Sequence, residues 1–155
     1  MNSTIQEHFT DTIFYQIELT AKYCKLLGQQ FFEKLDAGLS LDEYAVLDLL
    51  TVNESLCQRD IAKLILKDRA NTGKILDSLA KKNCLTRELT IKNNRPVRLV
   101  KITPKGIEMI NEIALKMRPH HSIIKDKLNK RNLMKVGTLL EELRNVLKET
   151  IDINI

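Results

Sequence analysis

At Asn83 the spacing of apolar residues changes from helical to alternating. Before it, Ile75, Leu76 and Leu79 recur at helical intervals; after it come two β-prone runs, Leu85–Ile91 and Val97–Ile102. Between the runs stands Lys92-Asn93-Asn94-Arg95-Pro96, a hairpin tip whose two Asn suit turn conformations. Gly and Pro are scarce, 5 and 3 in the whole chain, so long regular helices are favoured over turn-rich β structure. The helical stretch, Leu66 to Asn83, carries its own punctuation. Asp68 is a residue type that accepts hydrogen bonds from free N–H groups at a helix start. Lys81 and Lys82 suit the negative end of a helix dipole. Asn83 tolerates the left-handed conformation that often stops a helix.

On the outer side of its first turns this helix is expected to carry Arg69, Asn71, Thr72 and Lys74, types that hydrogen-bond base edges or phosphates. An amphipathic surface helix fits the same pattern, so the surroundings decide. The whole chain of 155 residues has a net charge of +5. Between Gln58 and Gly106 stand 13 Lys and Arg against 4 Asp and Glu, a net of +9; the rest of the chain is net −4. A basic lobe on a mildly acidic body is the footprint of a nucleic-acid binder. A solvated basic face is the bland alternative.

Upstream, Ile5, Phe9, Ile13, Ile17, Ala21, Cys24, Leu27 and Phe31 form a helical stripe within Ile5–Leu35, widened by Phe14, Leu19, Tyr23, Leu26 and Phe32. So broad an apolar surface calls for a second chain or another helix to cover it. Gly28 permits a bend or a close helix contact, and Gly38 is the expected terminator. Ser40 with Glu43 fits a capping box for a short helix that buries Ala45, Val46, Leu49 and Leu50. Ser55 or Cys57 precedes a third helix with Ile61, Ala62, Leu64 and Ile65 on its core side. Two helices joined by a tight turn form a helix-turn-helix, and a basic ribbon after the second forms a wing. Thr103-Pro104 opens the next helix, Pro119 kinks or ends it, and a further helical region starts at Ser122. The tail, Ile151-Asp152-Ile153-Asn154-Ile155, is apolar at alternate residues, so the two ends of the chain are expected to pack together in a two-fold dimer.

Other classes find little support. There is no nucleophile–base pair or Gly-rich phosphate loop, so an enzyme is not expected, nor a cofactor. Cys24, Cys57 and Cys84 contain no CxxC pair and are expected to be free thiols. His8, His120 and His121 show no metal-ligand spacing, so no metal is expected. No apolar run approaches the ~20 residues of a membrane span, and the first residues show no secretory pattern. A cytoplasmic protein without a membrane partner is expected.

The order of elements, with the runs Asp68–Lys82, Ile61-Ala62, Leu39-Ser40 and Ile102-Thr103-Pro104-Lys105-Gly106, resembles the MarR family of winged-helix transcription regulators. Arg87 matches an Arg in the family's first wing strand. The match is specific from Leu39 to Gly106 and architectural outside it. Asn83 stands where the family usually has Gly. Asn93-Asn94-Arg95 keeps the wing-tip Arg without the acid that braces it. Gly73 replaces a larger residue inside the helix.

The resemblance implies a single MarR-like domain over residues 1–155. It would be mainly α with a small β-wing: a winged helix-turn-helix lobe at 39–106, with dimerisation helices at 1–35 and 104–155. It further implies a homodimer that binds double-stranded DNA at a palindromic operator, acts as a repressor, and is released by a small-molecule effector. The expected DNA contacts are Gln58, Arg69, Ala70, Asn71, Thr72, Gly73 and Lys74, with Lys92, Asn94, Arg95 and Arg98 on the wing. In the family the effector lodges between the dimer helices and the lobe; Tyr15, Tyr23, Phe31 and Tyr44 are candidates here, although core packing accounts for each. Two alternatives stay open: redox sensing through Cys24, for which a buried inert thiol is the simpler expectation, and a winged-helix protein-interaction module without DNA binding.

Overall fold

The computed structural model of the chain describes residues 8–54, 56–92 and 94–152, and at Lys92 and Ile123 the backbone alone. A 3-10 turn, Phe9–Asp11, leads to α1 (Ile13–Leu35), followed by α2 (Leu41–Thr51), β1 (Leu56–Cys57), α3 (Gln58–Ile65), α4 (Arg69–Lys81), β2 (Leu85–Lys92), β3 (Arg95–Ile102), α5 (Pro104–Leu128) and α6 (Lys130–Thr150). The chain divides into two compact units, Met1–Leu41 and Asp42–Ile155.

In the first unit, α1 starts later than its apolar stripe suggests. Thr12 is extended, its hydroxyl donates to the Phe9 carbonyl at 2.7 Å, and the same oxygen accepts from the Tyr15 N–H. This capped start separates Phe9 from the helix that was expected to include it; Ile5 lies outside the described residues. The helix ends at Asp36, which is left-handed (φ 45°), two residues before Gly38 (φ 66°). Gly28 serves close packing: a Cβ there would lie 2.8 Å from Leu41 Cδ2 at the start of α2.

The second unit has its core where α2, α3, α4, the sheet and the start of α5 meet. Val46, Leu47, Ile61, Ala62, Leu76 and Leu79 are completely buried, with Leu85, Val100 and Ile113 nearly so. The buried side of α2 is turned from the expected one, since Leu47 is inside and Ala45 exposed. Leu64 of α3 is also exposed, at 55%. The sheet has a third strand: β1 pairs antiparallel with β3 through Leu56–Val100 and Cys57–Leu99, giving the order β1-β3-β2. Two residues are too few to show alternation, and their partners are distant in sequence.

Thr103 caps α5, its hydroxyl accepting from the Gly106 N–H at 3.1 Å, with Pro104 in the first turn. Of the two outcomes open at Pro119, the helix does not end there: α5 runs through it to Leu128, and the new helix expected at Ser122 does not begin there. The proline leaves the Leu115 carbonyl without its helical partner, but that turn is exposed, so water can serve it. The break falls at Asn129 (φ 47°), whose side chain caps α6 by accepting from the Asn132 N–H at 2.9 Å. Not one of the described residues of α6 is buried. Residues 153–155 of the alternating tail lie outside the described residues.

Candidate nucleic-acid interface

The turn between α3 and α4 is Leu66-Lys67-Asp68. Leu66 is left-handed (φ 52°) and ends α3, and the Lys67 N–H returns to the Ala62 carbonyl at 3.0 Å. Asp68 then starts α4 as expected: its Oδ1 accepts from the Asn71 N–H at 2.8 Å. That backbone bond, with a second from the Asn71 side chain, holds the Asp68 carboxyl below its ordinary pKa. The other end of α4 is a Schellman turn. Asn83 is left-handed (φ 59°), its N–H donates to the Ala80 carbonyl, and the Cys84 N–H donates to Leu79, both at 2.9 Å.

Of the expected contact residues on α4, Arg69, Ala70, Asn71 and Lys74 are exposed and Gly73 is half-buried. Thr72 is the correction: it is completely buried. It stands four and seven residues before Leu76 and Leu79, on the same stripe, and its hydroxyl bonds back to the Asp68 carbonyl at 2.9 Å. A Thr that satisfies its own hydroxyl can join an apolar face, so Thr72 belongs to the core and not to the outer surface. The Asn71 side chain is exposed but committed in part, since its Nδ2 donates to Asp68 Oδ2. Gln58, the first residue of α3, reaches across to α4, its Nε2 donating to the Arg69 carbonyl at 3.0 Å.

The acidic groups of the basic segment are all engaged in holding the fold. Asp60 accepts from the Cys57 N–H at 3.0 Å, Asp68 caps α4, Asp77 pairs with Arg87 at 2.7 Å, and Glu88 with Lys101 at 2.6 Å. Among the described residues Lys74, Arg95 and Arg98 form no ion pair. Exposed, unpaired positive charge among the described residues therefore stands on the outer side of α4 and on the wing, and also at Arg59 and Lys63 of α3, Lys81 and Lys105. Two ties were not read from the sequence. Arg87–Asp77 joins β2 to α4. Glu43, buried in α2, accepts from Ser78 Oγ at 2.6 Å and from Lys82 Nζ at 2.7 Å, joining α2 to the second half of α4. The sequence offers one clue to this second tie: Ser78 and Lys82 are four residues apart, one above the other on a helix.

The wing is the hairpin of β2 and β3, which runs in register from Leu85–Ile102 to Lys92–Arg95, with Asn94 left-handed (φ 56°) at its tip. The register assigns faces. Arg98 lies opposite Leu89, on the face that continues into buried Val100, whereas Arg95 lies on the other face with Val97 and Leu99. Arg95 and Arg98 are both exposed, on opposite sides of one ribbon. Lys92 pairs in register with Arg95 at the tip.

Of the other candidate residues, Tyr15, Tyr23 and Phe31 lie on α1 and Tyr44 on α2. Tyr15 and Phe31 are 16 residues apart on α1, or ~24 Å along a helix axis, too far to line one small-molecule pocket. Tyr15 stacks edge-on against Phe9, Phe31 against Phe32, and Tyr23 is exposed. Burial raises the Tyr44 pKa. Cys24 is exposed, not buried as the simpler expectation had it; Cys57 is half-buried. Cys84 is buried, which raises its thiol pKa. Among the described residues no group of His, Cys, Asp and Glu is placed to hold a metal ion, and no helix is long and apolar enough to cross a membrane.

A helix-turn-helix followed by a two-stranded wing, with long helices before and after it, defines a winged-helix architecture. No protein-family profile and no curated protein matches the sequence. Solved structures do match. The MepR–DNA complex of S. aureus is similar with a TM-score of 0.70 at 18% identity, over 90% of this chain and 99% of that one. The transcriptional regulator SlyA gives 0.72 at 20%, over 89% and 95%. Apo MarR from E. coli gives 0.69 at 19%, over 85% and 96%. The fold of this chain is that of the MarR-type winged-helix regulators.

Proposed function

We propose that this protein is a MarR-type transcriptional regulator: a homodimer that binds double-stranded DNA at a palindromic operator and represses transcription until a small-molecule effector releases it. The observation that carries the proposal is the surface of the lobe. Arg69, Asn71 and Lys74 are exposed on a capped helix beside a ribbon with exposed Arg95 and Arg98, while every acid of the segment is engaged in the fold. In this reading the first half of α4 enters the major groove, with the small side chain of Ala70 allowing its backbone to approach the bases closely. The wing enters the neighbouring minor groove and, because its two Arg face opposite ways, offers one to each strand. MepR, whose fold this chain shares, is solved in complex with DNA, which supports this reading.

Dimerisation is supported by unpartnered apolar surface. Ile13, Phe14 and Tyr23 on α1 and Met134, Leu139 and Val146 on α6 are all more than half exposed. So many large apolar side chains on long helices call for a second copy. Two-fold symmetry then places two recognition helices about one DNA turn apart. Exposed Cys24 favours a second trigger, oxidation, which peroxide treatment of wild type and Cys24→Ser separates from ligand release.

The direct test is titration of a promoter fragment at several salt concentrations with wild type, Lys74→Ala and Arg95→Ala. Affinity is expected to fall steeply with salt, and less steeply in each variant. Equal affinities and a flat salt dependence would end the proposal.

A further inference from the structure

Gly73 is the odd residue of the recognition helix, because it leaves a gap at the centre of the surface that should meet the bases. The structure fills that gap from another helix. A Cβ built at Gly73 would lie 3.1 Å from Gln58 Nε2, so the Gln58 carboxamide occupies the space that a side chain at position 73 would need. It is held there by its bond to the Arg69 carbonyl at 3.0 Å. That carbonyl can only accept, which fixes the amide with Nε2 inward and leaves Oε1 and the second N–H uncommitted. Among the described residues the carboxamide makes no other hydrogen bond, and Gln58 is only half-buried.

We infer that Gln58 is a specificity-determining residue that stands in for the missing side chain of position 73 and reads an adenine in the major groove. This rests on the DNA-binding reading above. The first helix of a helix-turn-helix usually crosses the backbone. Here the side chain is carried off α3 and onto the first turns of α4, among the groups placed to meet base edges. A carboxamide with one N–H and one oxygen free matches adenine, which offers N7 as acceptor and N6–H as donor. Guanine presents two acceptors at those positions and leaves Oε1 unpaired.

The test is selection of duplex sites from a randomised pool by the full-length protein, followed by affinity measurements on the selected site. Wild type is expected to select A at one position of each half-site. Replacing that A·T by G·C in one half-site weakens wild type by roughly 5- to 150-fold, and Gln58→Ala by less than about twofold. Gly73→Ala, which pushes against Nε2, is expected to lose the same discrimination while the other positions keep theirs. Circular dichroism confirms that both variants stay folded. A uniform loss of affinity in Gln58→Ala across all sequences, with the salt slope reduced by about one, identifies a phosphate contact and overturns the inference. Unchanged selection in Gln58→Ala overturns it too. A wild type that binds no duplex overturns the DNA-binding reading itself, so the two failures are distinct.

Discussion

Two glycines in this chain are predicted to respond to the same substitution with opposite sign. At Gly106, in the first turn of α5, a Cβ would fall far inside contact distance of the Cys84 carbonyl oxygen and 2.8 Å from Ile102 Cγ1. The carbonyl cannot step aside. It accepts from the Thr103 N–H at 3.0 Å, its own residue donates to Leu79 at 2.9 Å, and the Thr103 hydroxyl holds the Asn83 carbonyl at 2.7 Å. Overpacking a site of this kind costs ~1–3 kcal/mol. Breaking the Thr103–Cys84 bond adds about 1 kcal/mol, and the better helix propensity of Ala returns about 1 kcal/mol. Gly106→Ala should therefore destabilise by about 1–3 kcal/mol. At Gly137, inside α6, an added Cβ meets nothing within 4 Å. Only propensity remains, and Gly137→Ala should stabilise by about 0.5–1 kcal/mol. Urea unfolding at one fixed protein concentration reads both. With a slope of roughly 2 kcal/mol per molar, the midpoint falls by about 0.5–1.5 M in one variant and rises by about 0.3–0.5 M in the other. A Gly106→Ala protein as stable as wild type would refute the claim that the end of α4, the wing and α5 are pinned together at this point.

The Glu43 cluster is tested by Glu43→Ala, which leaves Ser78 Oγ and the half-exposed Lys82 ammonium without the buried carboxylate and should cost about 1–3 kcal/mol; Glu43→Gln, which keeps an acceptor, should cost less by the same unfolding measurement. Asp68 makes stability depend on pH. Its folded pKa lies below the ordinary value of 3.8, so its contribution is complete above that pH and is lost as the pH falls through the folded pKa. Asp68→Asn keeps a capping oxygen and should flatten the acid limb of a stability–pH profile, and an unchanged limb would assign it to other carboxylates.

Local chemistry was the legible part of this fold. Asp68 at the start of α4, Asn83 past its end and Thr103-Pro104 at the start of α5 act on neighbours within a few residues, and all three do what their types prescribe. The two strands of the ribbon were legible too, but its tip is shorter than the expected Lys92–Pro96, since Lys92, Arg95 and Pro96 pair within the strands. What failed depended on partners distant in sequence. Ala45 and Leu47 are both compatible with the inner face of α2, and only the position of the other helices decides between them. The stripe from Ile5 onwards is continuous in apolar spacing, but Thr12 interrupts it with a cap that periodicity does not register. Thr72 is polar by type, but its place on the Leu76–Leu79 stripe puts it in the core. In the candidate site, Arg69, Ala70, Asn71 and Lys74 were visible as exposed helix positions. The bond that brings Gln58 beside them was not, since it spans the turn and depends on the helix crossing.

Three ties hold α4 at three heights, and together they bear on how it moves. Near its start Gln58 of α3 grips the Arg69 carbonyl; at its middle Asp77 pairs with Arg87 of β2; toward its end Ser78 and Lys82 meet Glu43 of α2. Completely buried Leu76 and Leu79 lie between these points. Turning α4 by itself would break two charge-assisted ties and one neutral hydrogen bond and expose that core, whereas moving the lobe as one body breaks none of them. Under the proposed function, a change in DNA affinity on effector binding would therefore come from displacement of whole lobes. The consequence is measurable without an effector. Amide hydrogens in the middle of α4 should exchange at the same rate as those of the paired base of the wing, Leu85 to Arg87, because they open in one cooperative event. Arg87→Ala, which cuts one exposed-side tie worth no more than ~1 kcal/mol, should speed both together. Faster exchange of α4 with the wing base unchanged would show that the helix moves independently of its lobe.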